Sequence, residues 1–93
     1  MVENDALALE EIRKHRAEID TIDDRIAHLL NERAFHSIAI RDLKPSAKMQ
    51  LFDAQREEDI IARLSRNNTG PLFNDDINEI YATILKVMKG ASS

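Results

Sequence analysis

The sequence predicts an all-α fold of three helices, the first of them very long. Only two glycines and two prolines interrupt the 93 residues, so the chain has few turns and few, long elements. Aromatic residues make up 4% of the sequence, and a core built from Leu, Ile, Ala and Met favours helices over strands. The length and the hydrophobic share of 43% suit one folded domain spanning residues 1–93.

The first predicted helix runs from about Asp5 to Leu43, a stretch without glycine or proline. Residues spaced alternately by four and three positions lie on one face of this helix, and we call this series the seam. Its members are Ile12, Arg16, Ile19, Asp23, Ile26, Leu30, Arg33, Ser37, Ile40 and Lys44. Pro45 ends the run. Because a residue before proline avoids helical geometry, we expect Lys44 in the last turn or just beyond it.

A break over residues 45–51 separates this helix from the second one. Asp53 is the predicted N-cap of the second helix, which extends to about Arg66. Its predicted buried positions are Ile60, Ile61 and Leu64. The stretch at residues 67–71, rich in Asn and Gly and ending in Pro, is predicted to close it.

The third predicted helix runs from Asn74 or Asp75 to Lys89. Gly90 is predicted to stop it, because glycine is the usual residue just after a helix. Its predicted apolar face comprises Ile77, Ile80, Tyr81, Ile84, Leu85 and Met88.

The length of the first helix predicts a second chain. A helix of about 39 residues is about 58 Å long at ~1.5 Å per residue, whereas a compact chain of this size has a radius of gyration of about 12 Å. Two shorter helices cannot cover its apolar side. We therefore expect an intertwined homodimer with twofold symmetry, in which the long helices pair.

Charge and composition exclude several classes of protein. A net charge of −4 leaves no surplus of positive charge for phosphates, so we expect neither a general nucleic-acid binder nor an anionic-membrane binder. The absence of cysteine excludes disulfides and thiolate metal sites, and the three histidines follow no metal-ligand spacing. No apolar stretch is long enough to span a bilayer, and the N-terminus lacks a signal-peptide pattern. We expect a cytoplasmic protein without a metal site.

Cations occupy positions where the seam should be apolar. A buried guanidinium is costly without an anion beside it, so Arg16 and Arg33 each need one. One explanation is a structural ion pair with Asp20, Asp23, Asp53 or Glu57. The alternative is a small anionic ligand, which the excess of cations favours once Lys44 and Arg56 are included. Because a guanidinium binds a carboxylate through two hydrogen bonds, arginines separated along one seam suit a dicarboxylate.

Several segments carry a family pattern in register: LEEIR at 9–13, RAEIDTID at 16–23, LLNER at 29–33, FDAQREE at 52–58, GPL at 70–72 and IY at 80–81. Together they resemble the all-helical chorismate mutase family over nearly the whole chain, and Lys44 falls where the family places its catalytic lysine. The resemblance implies a homodimer with shared active sites that rearranges chorismate to prephenate in aromatic amino-acid biosynthesis. It also implies that no cofactor takes part.

The resemblance implies roles for five residues. Arg16, reaching in from the partner chain, would bind the side-chain carboxylate of chorismate, and Arg33 the ring carboxylate. Lys44 would donate to the ether oxygen. Glu57 and the backbone near Asp53 would hold the ring hydroxyl.

The remaining positions complete the implied site. Arg56 would add positive potential, and Ile40 and Leu85 would supply apolar walls. Ser92 stands where the family has a Gln or Glu that hydrogen-bonds the ether oxygen, and Met88 stands where a small polar residue is usual. A weak or specialised mutase, a chain cut before the helix ends, or a changed substrate would each explain the serine.

Simpler explanations and competing functions stay open at this point. Lys44 alone could be a solvated helix end, Asp53 only an N-cap, and Glu57 only an ion-pair partner of Arg56 or Arg33. The competing enzyme is an isochorismate–pyruvate lyase, which would use the same cations. The competing non-enzyme is a helical regulatory or dimerisation domain of a fused shikimate-pathway enzyme. A plain dimerisation unit would gain from Leu or Ile at positions 16 and 33.

Overall fold

The computed structural model describes the backbone of residues 2–50 and 53–91, and their side chains from residue 4 onward. It contains three helices, α1 (Val2–Leu43), α2 (Ala54–Asn67) and α3 (Asn74–Ala91), and no strand in the described ranges. The predicted all-α fold with a very long first helix is confirmed. None of these helices, as far as they are described, is long and apolar enough to cross a membrane.

The chain divides into two compact units, residues 1–33 and residues 34–93, and the boundary lies within α1. Helix α1 ends at Leu43, as predicted, but begins at Val2 instead of Asp5. The first residues contain no helix breaker, so nothing in them opposes an additional turn.

The first unit consists of helix α1 up to residue 33, and its residues 4–29 are all exposed. Two ion pairs lie on its surface, Arg13 with Glu10 at 3.8 Å and Lys14 with Glu11 at 3.7 Å. Solvent-exposed ion pairs of this kind contribute little to the stability of the fold. Large apolar side chains are exposed along one side of the helix. We call them the exposed stripe: Leu9, Ile12, Ile19, Ile22, Ile26 and Leu29.

In the second unit, the chain leaves α1 through a turn at residues 44–48. The Lys48 amide donates to the Pro45 carbonyl at 3.1 Å, and the Met49 amide donates to the Lys44 carbonyl at 3.0 Å. Lys48 has a φ of 57°, in the left-handed region. These two bonds and the left-handed residue form a Schellman motif. Pro45 lies in this turn, two residues beyond the end of α1, so the prediction that the helix stops at this proline is confirmed.

Helices α2 and α3 form an antiparallel hairpin. The Ser65 hydroxyl donates to Asn78 Oδ1 at 3.2 Å near the connecting loop, and Lys89 Nζ lies 2.9 Å from Glu57 Oε1 at the opposite end. The first contact joins the end of α2 to the start of α3, and the second joins the start of α2 to the end of α3. The two helices therefore run in opposite directions.

The core of this hairpin is small. Ile60 and Met88, at 5% and 7% exposure, are the only buried side chains among the described residues. Ile60 is buried as predicted, whereas Ile61 and Leu64, also predicted to be buried, are half-buried. Half-buried residues of the predicted apolar face of α3 flank the core: Ile77, Tyr81, Ile84 and Leu85. The prediction was wrong for Ile80, which is 49% exposed. It lies at the edge of the α3 face, whose centre follows the four-three repeat through residues 77, 81, 84 and 88.

Asn68 organises the loop between α2 and α3. Its Nδ2 donates to the Leu72 carbonyl at 2.8 Å and to Asn74 Oδ1 at 2.9 Å, and its Oδ1 accepts from the Gly70 amide at 3.1 Å. Gly70 has a φ of 79°, which glycine adopts without steric cost. Helix α2 ends at Asn67, so the predicted closing segment is confirmed.

Helix α3 continues to Ala91, so the prediction that Gly90 stops it is wrong. Apart from its chain neighbours and the backbone of α3, nothing in the described chain lies within 4 Å of the position that a Cβ would take at Gly90. A glycine inside a helix costs about 1 kcal/mol relative to alanine. Glycine therefore permits a helix to end but does not require it.

Candidate active site

The two seam arginines of α1 lie in different environments. Arg16 is exposed and forms no hydrogen bond or ion pair with the described residues of its own chain. The structural pairing of Arg16 with Asp20 or Asp23 is therefore not formed. Arg33 is half-buried.

The distance between these two arginines limits the size of the ligands that both can contact within one chain. They are seventeen residues apart on α1, which corresponds to about 26 Å along the axis at ~1.5 Å per residue. That distance exceeds the span of a small dicarboxylate. Within one chain, Arg16 and Arg33 therefore cannot both contact the same small dicarboxylate.

Lys44 lies one residue beyond the end of α1 and has both of its backbone groups bonded. Its amide donates to the Ile40 carbonyl at 2.9 Å, which continues the helical pattern, and its carbonyl accepts from the Met49 amide. The prediction that Lys44 lies at the last turn or just beyond is confirmed. Its backbone is therefore fixed, and the residue is half-buried.

Asp53 is the N-cap of α2, as predicted. Its backbone is extended, with φ −131° and ψ 92°, and its Oδ1 accepts from the Arg56 amide at 2.9 Å. Its carbonyl accepts from the Glu57 amide at 3.3 Å. The cap therefore sets the first turn of α2, which presents the side chains of Arg56 and Glu57.

Glu57 forms an ion pair with Lys89, and the alternative of a pair with Arg56 is wrong. The Nζ and Oε1 atoms are 2.9 Å apart, and the side chains of Lys89 and Glu57 are 54% and 24% exposed respectively. Lys89 was not among the predicted site residues. The available signal was the antiparallel pairing of the last two helices, which brings the first turn of α2 beside the last turn of α3.

The structure gives less information about the remaining five predicted site residues. Met88 is buried in the hairpin at 7% exposure, where a thioether packs well, and its role in substrate binding stays a prediction. Leu85 is half-buried and Arg56 is exposed. Ile40 is 54% exposed. Ser92 lies outside the described residues.

The structure brings four of the charged residues into one group, at the end of the hairpin opposite its loop. They are Asp53, Arg56, Glu57 and Lys89, and we call them the hairpin-end cluster. The cap and the ion pair occupy one oxygen of each carboxylate. Within the described residues, the ion pair of the Glu57 carboxylate is with Lys89, whose ammonium group lies 2.9 Å from Oε1. The cluster can therefore accept a hydrogen bond from a ligand hydroxyl at Glu57, while the exposed Arg56 supplies a positive charge nearby.

A shallow, open depression of about 450 Å³ lies at the other end of the hairpin, lined by Asn68, Leu72, Phe73, Asn74 and Asp75. None of the predicted site residues lines it, and its lining contains no cation. No group of three or more metal-ligating side chains occurs in the part of the chain that is described.

A family profile described as chorismate mutase type II matches residues 15–91. Two curated relatives are both described as bifunctional chorismate mutase/prephenate dehydratase. The Neisseria gonorrhoeae protein is 37% identical over 71 residues, covering 76% of this chain and 19% of the relative. The Aquifex aeolicus protein is 38% identical over 81 residues, covering 83% of this chain and 22% of the relative. The chain thus spans about a fifth of the length of these relatives.

Two solved structures of chorismate mutase from Thermus thermophilus are similar in fold. Form I superposes with a TM-score of 0.81 at 29% identity, covering 84% of this chain and 98% of that chain. Form II superposes with a TM-score of 0.80 at 29% identity, covering 84% and 89% respectively. The similarity therefore extends over almost the whole of the Form I chain.

Proposed function

The chain belongs to the chorismate mutase type II family, and on that premise we propose that it rearranges chorismate to prephenate, a step of aromatic amino-acid biosynthesis. The observation that carries the proposal is the extent of the family match. It covers residues 15–91 and so includes Arg16, Arg33, Lys44 and the hairpin-end cluster.

The reaction defines what the protein must supply. Within one chorismate molecule an ether C–O bond breaks as a new C–C bond forms, so no atom is transferred to or from the protein. The rate depends on holding the side chain of chorismate over its ring and on stabilising the negative charge that develops on the ether oxygen. Positively charged donors fixed by the fold are suited to both tasks.

The cations divide these tasks in our proposal. Arg33 binds the ring carboxylate, and Arg16 binds the side-chain carboxylate, in each case through the paired hydrogen bonds that a guanidinium offers. Lys44 donates to the ether oxygen. The bonded backbone of Lys44 supports this role, because it fixes the point from which the side chain extends.

Residues of the hairpin-end cluster hold the ring hydroxyl in this proposal. Glu57 accepts the hydrogen bond of the hydroxyl through its Oε2, and the backbone near Asp53 lies beside it in the same turn. Arg56 adds positive potential. Ile40 and Leu85 line the ring with apolar surface, and Met88 and Ser92 complete the substrate contacts.

We propose further that each active site is shared between two chains of an intertwined homodimer. Two observations support this. Arg16 and Arg33 are about 26 Å apart along one helix, so the Arg16 that meets a given Arg33 has to come from another chain. The exposed stripe of α1 is an extended apolar surface of the kind that a second chain covers.

A direct assay tests the activity. We expect the protein to consume chorismate, followed by loss of its absorbance, and to produce prephenate. Arg33→Ala should lower kcat/KM at least about a hundredfold, because it removes a charge-assisted contact with the ring carboxylate. Circular dichroism should show an unchanged helical fold.

Arg25→Ala is the matched control, since Arg25 is an exposed arginine on the same helix and lies outside the proposed site. It should leave kcat/KM near that of the unmodified protein. Pyruvate released from isochorismate, with no prephenate from chorismate, would identify a lyase instead. An Arg33→Ala protein that unfolds would assign this arginine a structural role.

A further inference from the structure

The ion pair between Glu57 and Lys89 joins residues that are 32 positions apart in the sequence. Glu57 lies in the first turn of α2 and Lys89 in the last turn of α3. Each charge already suits its own helix end, because acids are favourable at helix N-termini and bases at C-termini. The helix ends therefore account for the signs of the two charges, but not for the short contact between them.

Stability alone gives little reason for the contact. Lys89 is 54% exposed, and ion pairs with such exposure contribute little to folding because solvent screens them and two long side chains lose freedom. The effect on geometry is larger. Glu57 is mostly covered, at 24% exposure, and an ammonium group 2.9 Å from Oε1 restricts the rotation of its carboxylate.

The orientation that results bears on the proposed site. With Oε1 held by Lys89, Oε2 is the oxygen that remains to accept a hydrogen bond from a ligand. We propose that Lys89 is a positioning residue for Glu57, fixing its carboxylate so that Oε2 meets the ring hydroxyl of the substrate. This inference rests on the proposed function, because it takes the hydroxyl from chorismate.

The test is a double-mutant cycle measured with chorismate. Lys89→Met keeps the length of the side chain and removes its charge, and we expect it to lower kcat/KM about ten- to a hundredfold, as loss of orientation at a reacting group does. Lys89→Arg should restore most of the activity. In a Glu57→Gln background, adding Lys89→Met should change kcat/KM less than about twofold, because the effect of Lys89 passes through Glu57.

Lys86→Met is the control, since Lys86 is an exposed lysine on the same helix, and it should leave kcat/KM unchanged. Equal activity of the Lys86→Met and Lys89→Met proteins would overturn the proposal. So would a Lys89→Met protein that is less stable in urea but has an unchanged kcat/KM. Additive losses with Glu57→Gln would also overturn it, because Lys89 would then contact the substrate itself. No turnover of chorismate by the unmodified protein would instead overturn the proposed function, and this inference with it.

Discussion

Single residues of the candidate site differ in how their positions are determined. Asp53 is held by contacts with residues three and four positions along the chain, and such local contacts follow from sequence patterns. Glu57 is held by a residue 32 positions away. The identity of that partner depends on the register between α2 and α3, and this register cannot be derived from the periodicity of either helix. The cap was therefore predictable and the ion pair was not.

The departure at Ser92 gives a prediction at the same scale. Ser92→Gln should raise kcat for chorismate at least about tenfold, because a preorganised donor to the developing charge contributes substantially to the rate and serine is too short to supply it. Steady-state kinetics at saturating chorismate would measure the change.

Ser93→Gln is the matched control, with the same substitution one position further along. If the two variants have equal kcat values, residue 92 does not reach the ether oxygen. The interpretation of Ser92 as a missing donor would then be incorrect.

Among the elements, the three helices and the end of α1 at Leu43 were predicted, because long runs without glycine or proline leave few alternatives. The errors were confined to ends. Helix α1 begins at Val2, and Gly90 lies inside α3. Glycine does not decide where a helix stops, since it only permits a left-handed residue.

The turn after α1 gives a prediction about stability. Lys48 has a left-handed backbone, which costs about 1 kcal/mol or more for a residue with a Cβ. Lys48→Gly should therefore raise the free energy of unfolding by about 0.5–1 kcal/mol, after the greater freedom of glycine in the unfolded chain is subtracted. Urea denaturation would measure the difference.

Lys48→Ala removes the same charge but keeps the Cβ, so it should bring no such gain. If the alanine and glycine variants are equally stable, strain at this residue does not limit the stability of the chain.

At the scale of the whole molecule, the proposed sharing of sites predicts complementation between two inactive variants. Arg16→Ala and Arg33→Ala should each be inactive alone. A heterodimer of the two has one site with both arginines intact and one site with neither. Random exchange of chains makes half of the dimers mixed, so about a quarter of the sites should recover activity.

The recovery is measured by unfolding and refolding an equal mixture of the two variants and assaying chorismate turnover. Sedimentation of the same sample should give twice the chain mass of 10.6 kDa. Mixed dimers without recovered activity would show that each site draws both arginines from one chain.

The exposed stripe of α1 has a consequence for how the amount of protein relates to its activity. Under the shared-site proposal, a lone chain lacks the partner's Arg16 at its site, so catalytic activity arises only when two chains associate. Specific activity would then depend on dilution, falling as the concentration drops below the dissociation constant and returning when chains meet again. For such a protein, the concentration of the chain in the cell determines both the number of active sites and whether any active dimer forms.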